Sequence, residues 1–303
     1  MATKLKKVKD QVIVITGASS GIGLATAERA AREGASLVLA ARSDGALNDL
    51  ASRINAAGGR AAAVHCDVAD QGQMNRVAEE AVNRFGRIDT WINNAGLGLW
   101  GRLDETPPAD ARKLFDINFW GLVNGCQAAL PHLKKQGGAL INIGSEVSES
   151  YAPLQGMYVA SKHAVKGYTD CLRVEVEEVD QAPISITLIQ PGATDTPFPQ
   201  HARNLTDKEP KLPEPLDDAE HVAEAILAAA ESPTRERKVS LSASLNTLLA
   251  KWAGGVSDLL AAKKPKDMHY NEPPRNPAGV LEQSSEKAGV VGQVRGPGGM
   301  EPK

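Results

Sequence analysis

The stretch Val12-Ile13-Val14-Ile15-Thr16-Gly17-Ala18-Ser19-Ser20-Gly21-Ile22-Gly23, followed by an Ala-rich run to about Glu33, decides the fold. The β-branched run from Gln11 to Thr16 has the length and character of a strand buried on both faces. It breaks at once into a Gly-rich turn, and the turn opens into a helix. In that order the three make a phosphate site. Glycine lets backbone approach the ligand, and a helix N-terminus offers free N–H groups and partial positive charge. A Gly-x-x-x-Gly-x-Gly loop alone also serves plain tight turns, so its weight comes from following the first strand. Gly17, Ser19, Ser20, Gly21, Ile22 and Gly23 are the expected phosphate-side residues.

Working outward, the second strand runs Ser36 to Ala41 and is followed by Arg42 and Ser43. Where a carboxylate would accept from the ribose hydroxyls of NAD, the chain has Ala41 and then Arg42. A cation there suits a 2′-phosphate, so NADP(H) is the expected cofactor. NAD(H) stays open if Arg42 is only a solvated surface residue. Further strands are expected at Ala61 to Cys66, Ile88 to Ile92, Ala139 to Ile143 and Ile184 to Gln190, with a seventh at Lys238 to Leu241. Helices lie between them, near Gln71 to Phe85, Pro108 to Leu133 and Gly156 to Val179, and a later one at Asp217 to Glu231. Such alternation predicts an α/β fold, a Rossmann-like, doubly wound parallel sheet in a single domain with right-handed crossovers.

Ligands of these sheets sit beyond the carboxyl ends of the strands, and that is where the distinctive residues fall. Asp67-Val68 follows the third strand, and its carboxylate is placed to accept from an adenine amino group. Asn93-Asn94-Ala95-Gly96 follows the fourth, Ser145 the fifth, and Pro191-Gly192-Ala193-Thr194-Asp195-Thr196 the sixth. Each is ordinary turn chemistry taken alone. Their recurrence at successive strand ends is not.

Ser145 lies thirteen positions before Tyr158, and Lys162 four after it. Residues four apart share a helix face, which holds the Lys162 ammonium beside the Tyr158 phenol. A nearby positive charge favours phenolate, so the Tyr158 pKa is expected to fall from about 10 toward working pH. Such a phenol can pass a proton to or from a substrate oxygen, and Ser145 can hold that oxygen. Tyr-x-x-x-Lys is common by chance, and an exposed Tyr–Lys pair on an ordinary helix is the plain alternative.

Composition sets the limits. With 303 residues, 42% hydrophobic and 23% charged, the chain has the make-up of a soluble globular protein. A net charge of −3 and a pI near 6.1 leave no footprint for nucleic acid or an anionic membrane. The basic start (Lys4, Lys6, Lys7, Lys9) has no apolar run behind it to make a secretory signal, and no stretch is long enough to span a membrane. Cys66, Cys126 and Cys171 are too far apart to suggest a disulfide framework or metal site. They are read as buried thiols of a cytoplasmic protein, and no metal is expected.

Taken together, Thr16-Gly17-x-x-x-Gly21-x-Gly23, Asn93-Asn94-Ala95-Gly96, Asn118, Ser145, Tyr158-x-x-x-Lys162 and Pro191-Gly192 resemble the single-domain branch of the short-chain dehydrogenase/reductase family, over about residues 10 to 240. The resemblance implies a catalytic tetrad of Asn118, Ser145, Tyr158 and Lys162. It implies that Asn118 holds a water linking Lys162 to solvent, and that Lys162 binds the nicotinamide ribose. It also implies Asp67 and Val68 at the adenine, Asn94 with Ala95 and Gly96 beside the ribose, and Pro191 and Gly192 in the cofactor loop. Thr194 would face the carboxamide, with Thr196 near the pyrophosphate. Gly144 stands where many relatives have serine. Enoyl reductases of the family space tyrosine and lysine more widely, which argues against that activity. Homodimers or homotetramers built on the long helices are implied as well.

The reaction so implied is reversible hydride transfer between NADP(H) and a carbonyl or alcohol carbon, of the carbonyl reductase or alcohol dehydrogenase type. Leu97, Leu99 and Trp100 are expected on one side of the substrate, and Tyr151, Pro153 and Leu154 on the other, with Phe198 on a lid at about 197–215. Being apolar, that lining predicts a hydrophobic ketone or secondary alcohol. A non-catalytic NADP-binding regulator and an NAD-dependent alcohol dehydrogenase are the alternatives. Residues 1–242 form the expected catalytic domain. A helical extension follows at 243–263, carrying Leu245, Leu248, Leu249, Trp252, Val256, Leu259 and Leu260 and bent at Gly254-Gly255. It is expected to pack on its own domain or on a partner subunit. Twelve of the forty residues from Lys264 onward are Pro or Gly, which predicts a flexible or extended tail at 264–303.

Overall fold

A computed structural model of the protein describes residues 4–240, 247, 250–263, 265, 268–289 and 293–295. Its centre is a seven-stranded parallel sheet. The strands are β1 (Val12–Thr16), β2 (Ser36–Ala41), β3 (Arg60–His65), β4 (Thr90–Asn93), β6 (Gly138–Ile143), β7 (Ile184–Gln190) and β9 (Glu236–Lys238). In space they run β3-β2-β1-β4-β6-β7-β9. The chain winds outward from β1 in one direction and then restarts at β4 in the other. A crevice therefore opens at the carboxyl ends of β1 and β4, the switch point where such sheets bind ligands. Two short strands, β5 (Leu99–Trp100) and β8 (Arg203–Asn204), pair separately.

Alternation along the strands builds two cores. Val12, Val14, Trp91 and Leu140 face α3 (Gln71–Phe85), α5 (Gly121–Gln136) and α6 (Gly156–Arg173). Ile13, Ile15, Leu37, Leu39 and Ile141 face α1 (Gly21–Arg32), α2 (Asp44–Ala56) and α8 (Ala219–Glu231). The expected helix between Pro108 and Leu133 is two helices, α4 (Pro108–Phe115) and α5, joined through a wide π turn at Asp116–Trp120. A π turn displaces backbone from the regular ladder and is often found at functional sites.

Three expectations need correction here. The seventh strand lies at Glu236–Lys238, two residues earlier than Lys238 to Leu241, because register with β7 begins at the pair Leu188–Glu236. As an edge strand it is charged rather than apolar, so hydrophobicity did not mark it. Leu241 lies outside the described residues, as do Leu245, Leu248 and Leu249 of the expected extension. Cys66 and Cys126 are buried, but Cys171 is exposed on α6. In the extension the break falls at Ala253, and Gly254 starts helix α9 (Gly254–Ala261) instead of bending one. Trp252, Leu259 and Leu260 are exposed there.

The residues from 268 onward carry no helix or strand among those described, yet they lie against the domain, with Val280 and Leu281 buried. Residues 197–215, the expected lid, include the short helix α7 (Phe198–His201) and are held from both sides. β8 pairs with β5, while the backbone N–H groups of Glu209, Tyr270 and Lys211 bond Glu272, Glu209 and Met268 carbonyls at 2.9 Å each.

A buried polar chain ties the centre of the sheet to α6. Trp91 Nε1 donates to Asn93 Oδ1 at 2.7 Å, Asn93 Nδ2 to Asn142 Oδ1 at 2.9 Å, and Asn142 Nδ2 to Thr169 Oγ1 at 3.0 Å. Removing one member strands the others in apolar surroundings, at about 1–3 kcal/mol per unsatisfied group. Asn93→Ala is therefore expected to lower unfolding stability by that amount. An unchanged urea midpoint would show the chain to be dispensable.

Candidate active site

The first loop is held to the fourth by one hydroxyl. Thr16 Oγ1 accepts from the backbone N–H of Asn94 at 3.0 Å and of Ala95 at 3.1 Å, while Asn94 Nδ2 donates to Thr16 O at 2.9 Å. The approach is close enough that only glycine fits at Gly17. Its φ is +67°, and a Cβ would lie 2.9 Å from Ala95 Cα. At Gly23 a Cβ would strike Gly17 O and Asn94 Nδ2. Gly23 is thus a packing residue under the loop, and it does not line the cleft. No side chain caps the first turn of α1, where Gly21 N–H donates to the backbone carbonyl of Gln293 at 2.7 Å; the turn is a place for anionic oxygen.

Above this floor lies a cleft of about 510 Å³, within the size range of small-molecule sites. Every expected cofactor residue lines it except Gly23. Gly17, Ser19, Ser20, Gly21 and Ile22 come from the first loop, and Arg42 from the second. Asp67 and Val68 follow β3, and Asn94, Ala95 and Gly96 follow β4. Pro191, Gly192, Thr194 and Thr196 follow β7. These glycines and uncapped N–H groups fit a dinucleotide pyrophosphate, and Asp67 is available to the adenine. Among the described residues no group of three or more His, Cys, Asp or Glu comes together to hold a metal ion.

Ser145, Tyr158 and Lys162 line the same cleft. Ser145 starts a tight turn after β6, and its Oγ accepts from Val147 N–H at 3.3 Å. Gly144 before it must be small, since a Cβ would lie 2.9 Å from Ser148 Oγ. The Tyr158 ring is packed 5.2 Å from that of Phe198. Lys162 is buried, its Nζ donating to Ile143 O at 2.8 Å and lying 5.8 Å from the Tyr158 ring centroid. Asn118 does not line the cleft. It sits in the π turn with its amide bonded to both Leu97 N and Leu97 O and to Ser161 Oγ. A Cβ on Gly96 would lie 3.4 Å from Asn118 Oδ1 and 3.6 Å from Lys162 Nζ, so the two flank one glycine.

The electrostatics run opposite to the expected lowering of the Tyr158 pKa. Burial pushes the phenol up to about 12, Ser145 opposes that, and Glu146 adds to it. Burial likewise pulls the Lys162 amine down to about 8. The ammonium faces the tyrosine ring and a carbonyl, and helical spacing alone does not report how deeply both groups are buried.

The substrate side is only partly as expected. Leu97, Tyr151 and Phe198 line the cleft, but Trp100 and Leu154 do not. Trp100 is fully buried behind Phe198, at 5.8 Å between ring centroids, and Leu154 packs in the same cluster. Leu99 belongs to the core, and Pro153 is off the cleft too. Strand β5 turns Trp100 into the cluster beneath the lid segment and Leu99 into the main core. Sequence reasoning missed Leu212, Met268 and Leu260, which arrive from distant segments. It also missed Gln155, buried on the cleft wall with no hydrogen-bond partner for its Nε2. Its place three residues before Tyr158, on the same helix face, was the available signal.

The sheet order, the crevice and the glycine turn define a Rossmann-like protein. A family model for short chain dehydrogenase matches residues 11–207. YxnA, an uncharacterised oxidoreductase of Bacillus subtilis, is 43% identical over 277 residues, 90% of this chain and 78% of its own length. An 11-beta-hydroxysteroid dehydrogenase A of Sesamum indicum is 37% identical over 195 residues, 64% of this chain and 55% of that protein. Among solved structures, a Burkholderia phymatum short chain dehydrogenase/reductase in complex with NAD superposes with TM-score 0.74 at 26% identity, covering 84% of this chain and 96% of its own. An alcohol dehydrogenase of Thermococcus sibiricus, complexed with 5-hydroxy-NADP, gives 0.67 at 29%, covering 75% and 95%. The chain belongs to the short-chain dehydrogenase/reductase family of oxidoreductases.

The buried lysine gives a stability test. In the fold Lys162 favours the neutral amine, its pKa lying near 8 against 10.5 for the ordinary side chain. Its contribution to stability is thus present above 10.5 and lost as pH falls through about 8. Lys162→Met removes that loss. The variant's advantage in urea unfolding is expected to shrink by about 2 kcal/mol between roughly pH 6 and pH 9.5. A difference that stays constant across this range would mean that Lys162 titrates normally.

Proposed function

We propose that the protein catalyses reversible hydride transfer between NADP(H) and a hydrophobic ketone or secondary alcohol, with Tyr158 as general acid and base. The observation that carries this is the Tyr158 phenol, half-buried on the cleft wall, hydrogen-bonded to Ser145 and one helical turn from Lys162. The nicotinamide supplies or accepts the hydride when bound. Tyr158 passes the proton at the substrate oxygen, and Ser145 holds that oxygen. A phenol at about 12 stays protonated at neutral pH, as the acid of a carbonyl reduction requires. Lys162, placed against the tyrosine ring and Ile143 O, holds the ribose side of the cleft. Asn118 fixes the loop at Leu97 and the π turn beside that lysine.

Apolar walls support the substrate class. Leu97, Phe198, Leu212 and Met268 surround the mouth of the catalytic end, so burial of apolar substrate surface adds about 25 cal/mol per Å². Tyr158→Phe is expected to cut turnover by about 10²- to 10⁴-fold while dinucleotide binding survives. Turnover that persists would remove Tyr158 from the mechanism.

Two features of the second loop bear on cofactor choice. Ala41 offers no carboxylate to a ribose, and Arg42 lines the cleft, which supports NADP(H). A second reading, NAD(H), is favoured by the fact that Arg42 Nη2 already donates to Val280 O at 2.5 Å and Nη1 to Leu281 O at 3.4 Å. Competition of NADPH against NADH decides between them. Under the first reading NADPH binds more tightly and Arg42→Ala erases the preference; tighter NADH binding would establish the second.

We also infer a homodimer or homotetramer built on the long helices. Trp120, next to α5, and Val174 and Val179, in the π turn after α6, are large apolar side chains at least half exposed. Trp120→Glu is expected to lower the sedimenting mass; a wild-type protein that sediments as a monomer would overturn the inference.

A further inference from the structure

We propose that the C-terminal residues 268–289 and 293–295 are themselves part of the dinucleotide site, a latch that closes over the adenosine end and governs the rate at which cofactor leaves. This rests on the dinucleotide reading above.

The stretch touches the two loops that receive the adenosine half. Arg42 donates to the carbonyls of Val280 and Leu281. Ser43 Oγ meets Ser285 Oγ at 3.0 Å and accepts from Glu286 N–H at 3.3 Å, and Gly45 N–H donates to Glu286 Oε2 at 3.1 Å. At the first loop, Gly21 N–H donates to Gln293 O at 2.7 Å. Val280 and Ser285 line the same cleft as Gly17, Asp67 and Val68. The floor still borders open volume beside the stretch, and the stretch gives up or shares Gly21 N–H and Arg42 when phosphates enter.

The latch docks at one defined point. Val280 N–H donates to His201 O at 2.9 Å, and Gly279 has φ +59°. A Cβ on Gly279 would collide with the carbonyls of His201 and Ala202. Opening breaks polar contacts worth about 1 kcal/mol net each and also lifts the buried Val280 and Leu281 side chains out of the core, at about 1.5–3 kcal/mol each, so it is slow enough to govern release. The match to YxnA covers 90% of the chain and so reaches well past the family model's end at residue 207. The latch belongs to the part of the chain that the shared catalytic fold does not account for.

The test compares the full chain with two variants, one ending at Lys263 and one carrying Gly279→Val in the full-length protein. Release of NADPH and of NADH is followed by stopped-flow nicotinamide fluorescence during displacement with excess oxidised cofactor. Both variants are expected to release cofactor about tenfold faster or more. In the full chain, proteolytic cleavage at the exposed Lys287 is expected to slow when cofactor is added. Release at the wild-type rate from the Gly279→Val protein would overturn the latch. So would faster association with unchanged release, which marks a plug. If neither nucleotide changes its fluorescence with the full chain, the dinucleotide reading itself fails and the latch falls with it.

Discussion

The hydroxyl of Thr16, accepting from two backbone N–H groups of the neighbouring loop, is the contact on which the site depends. β1 and β4 are adjacent strands whose chains leave the sheet in opposite directions, so their loops would part without a tie. Thr16 closes that gap with Asn94 and Ala95. The cost is steric. Gly17 must adopt a left-handed conformation beneath Ala95, and Gly23 must be bare so that α1 can sit against Gly17 and Asn94. The glycine spacing that identifies the fold is thus the packing requirement of one stitch. A cleft at the N-terminus of α1 is the by-product.

At the other end of the cleft, burial rather than charge proximity sets the chemistry. Placing an amine and a phenol side by side ordinarily lowers the phenol's pKa. Here both groups are withdrawn from water, and desolvation opposes the charged form of each. The fold therefore holds a neutral acid beside an amine that is only weakly basic. Lys162 is held against the carbonyl of Ile143 and the face of the Tyr158 ring.

The fold was legible because its signals are local. Val-Ile-Val-Ile before a glycine turn, repeated β–α alternation and small residues at each strand end all act within about a dozen residues of chain. Buried parallel strands are uniformly apolar and easily seen, whereas β9, charged at the sheet's edge, was placed two residues late. The placement of the proposed catalytic pair on one cleft wall was legible for the same reason, since Tyr158 and Lys162 sit on one helix. The substrate wall was not. Trp100 and Leu154 look like cleft residues because they follow cleft motifs, yet β5 pairs with β8 and buries Trp100 behind Phe198. Only a contact between residues about a hundred positions apart decides which side faces in.

The C-terminal stretch shows the limit of composition more sharply. Many prolines and glycines predict the absence of helix and strand, and none is present among the described residues beyond 268. The same composition is silent on whether irregular backbone finds partners. Buried backbone groups must be paired, and this stretch pairs them with other loops: Gly21, His201, Asn204 and Glu209 each share a backbone bond with it. The donors it uses at Arg42 and Gly21 are among those a nucleotide would want. The stretch that looked least structured therefore bears directly on cofactor choice, because any phosphate at Arg42 must share or displace the carbonyls of Val280 and Leu281.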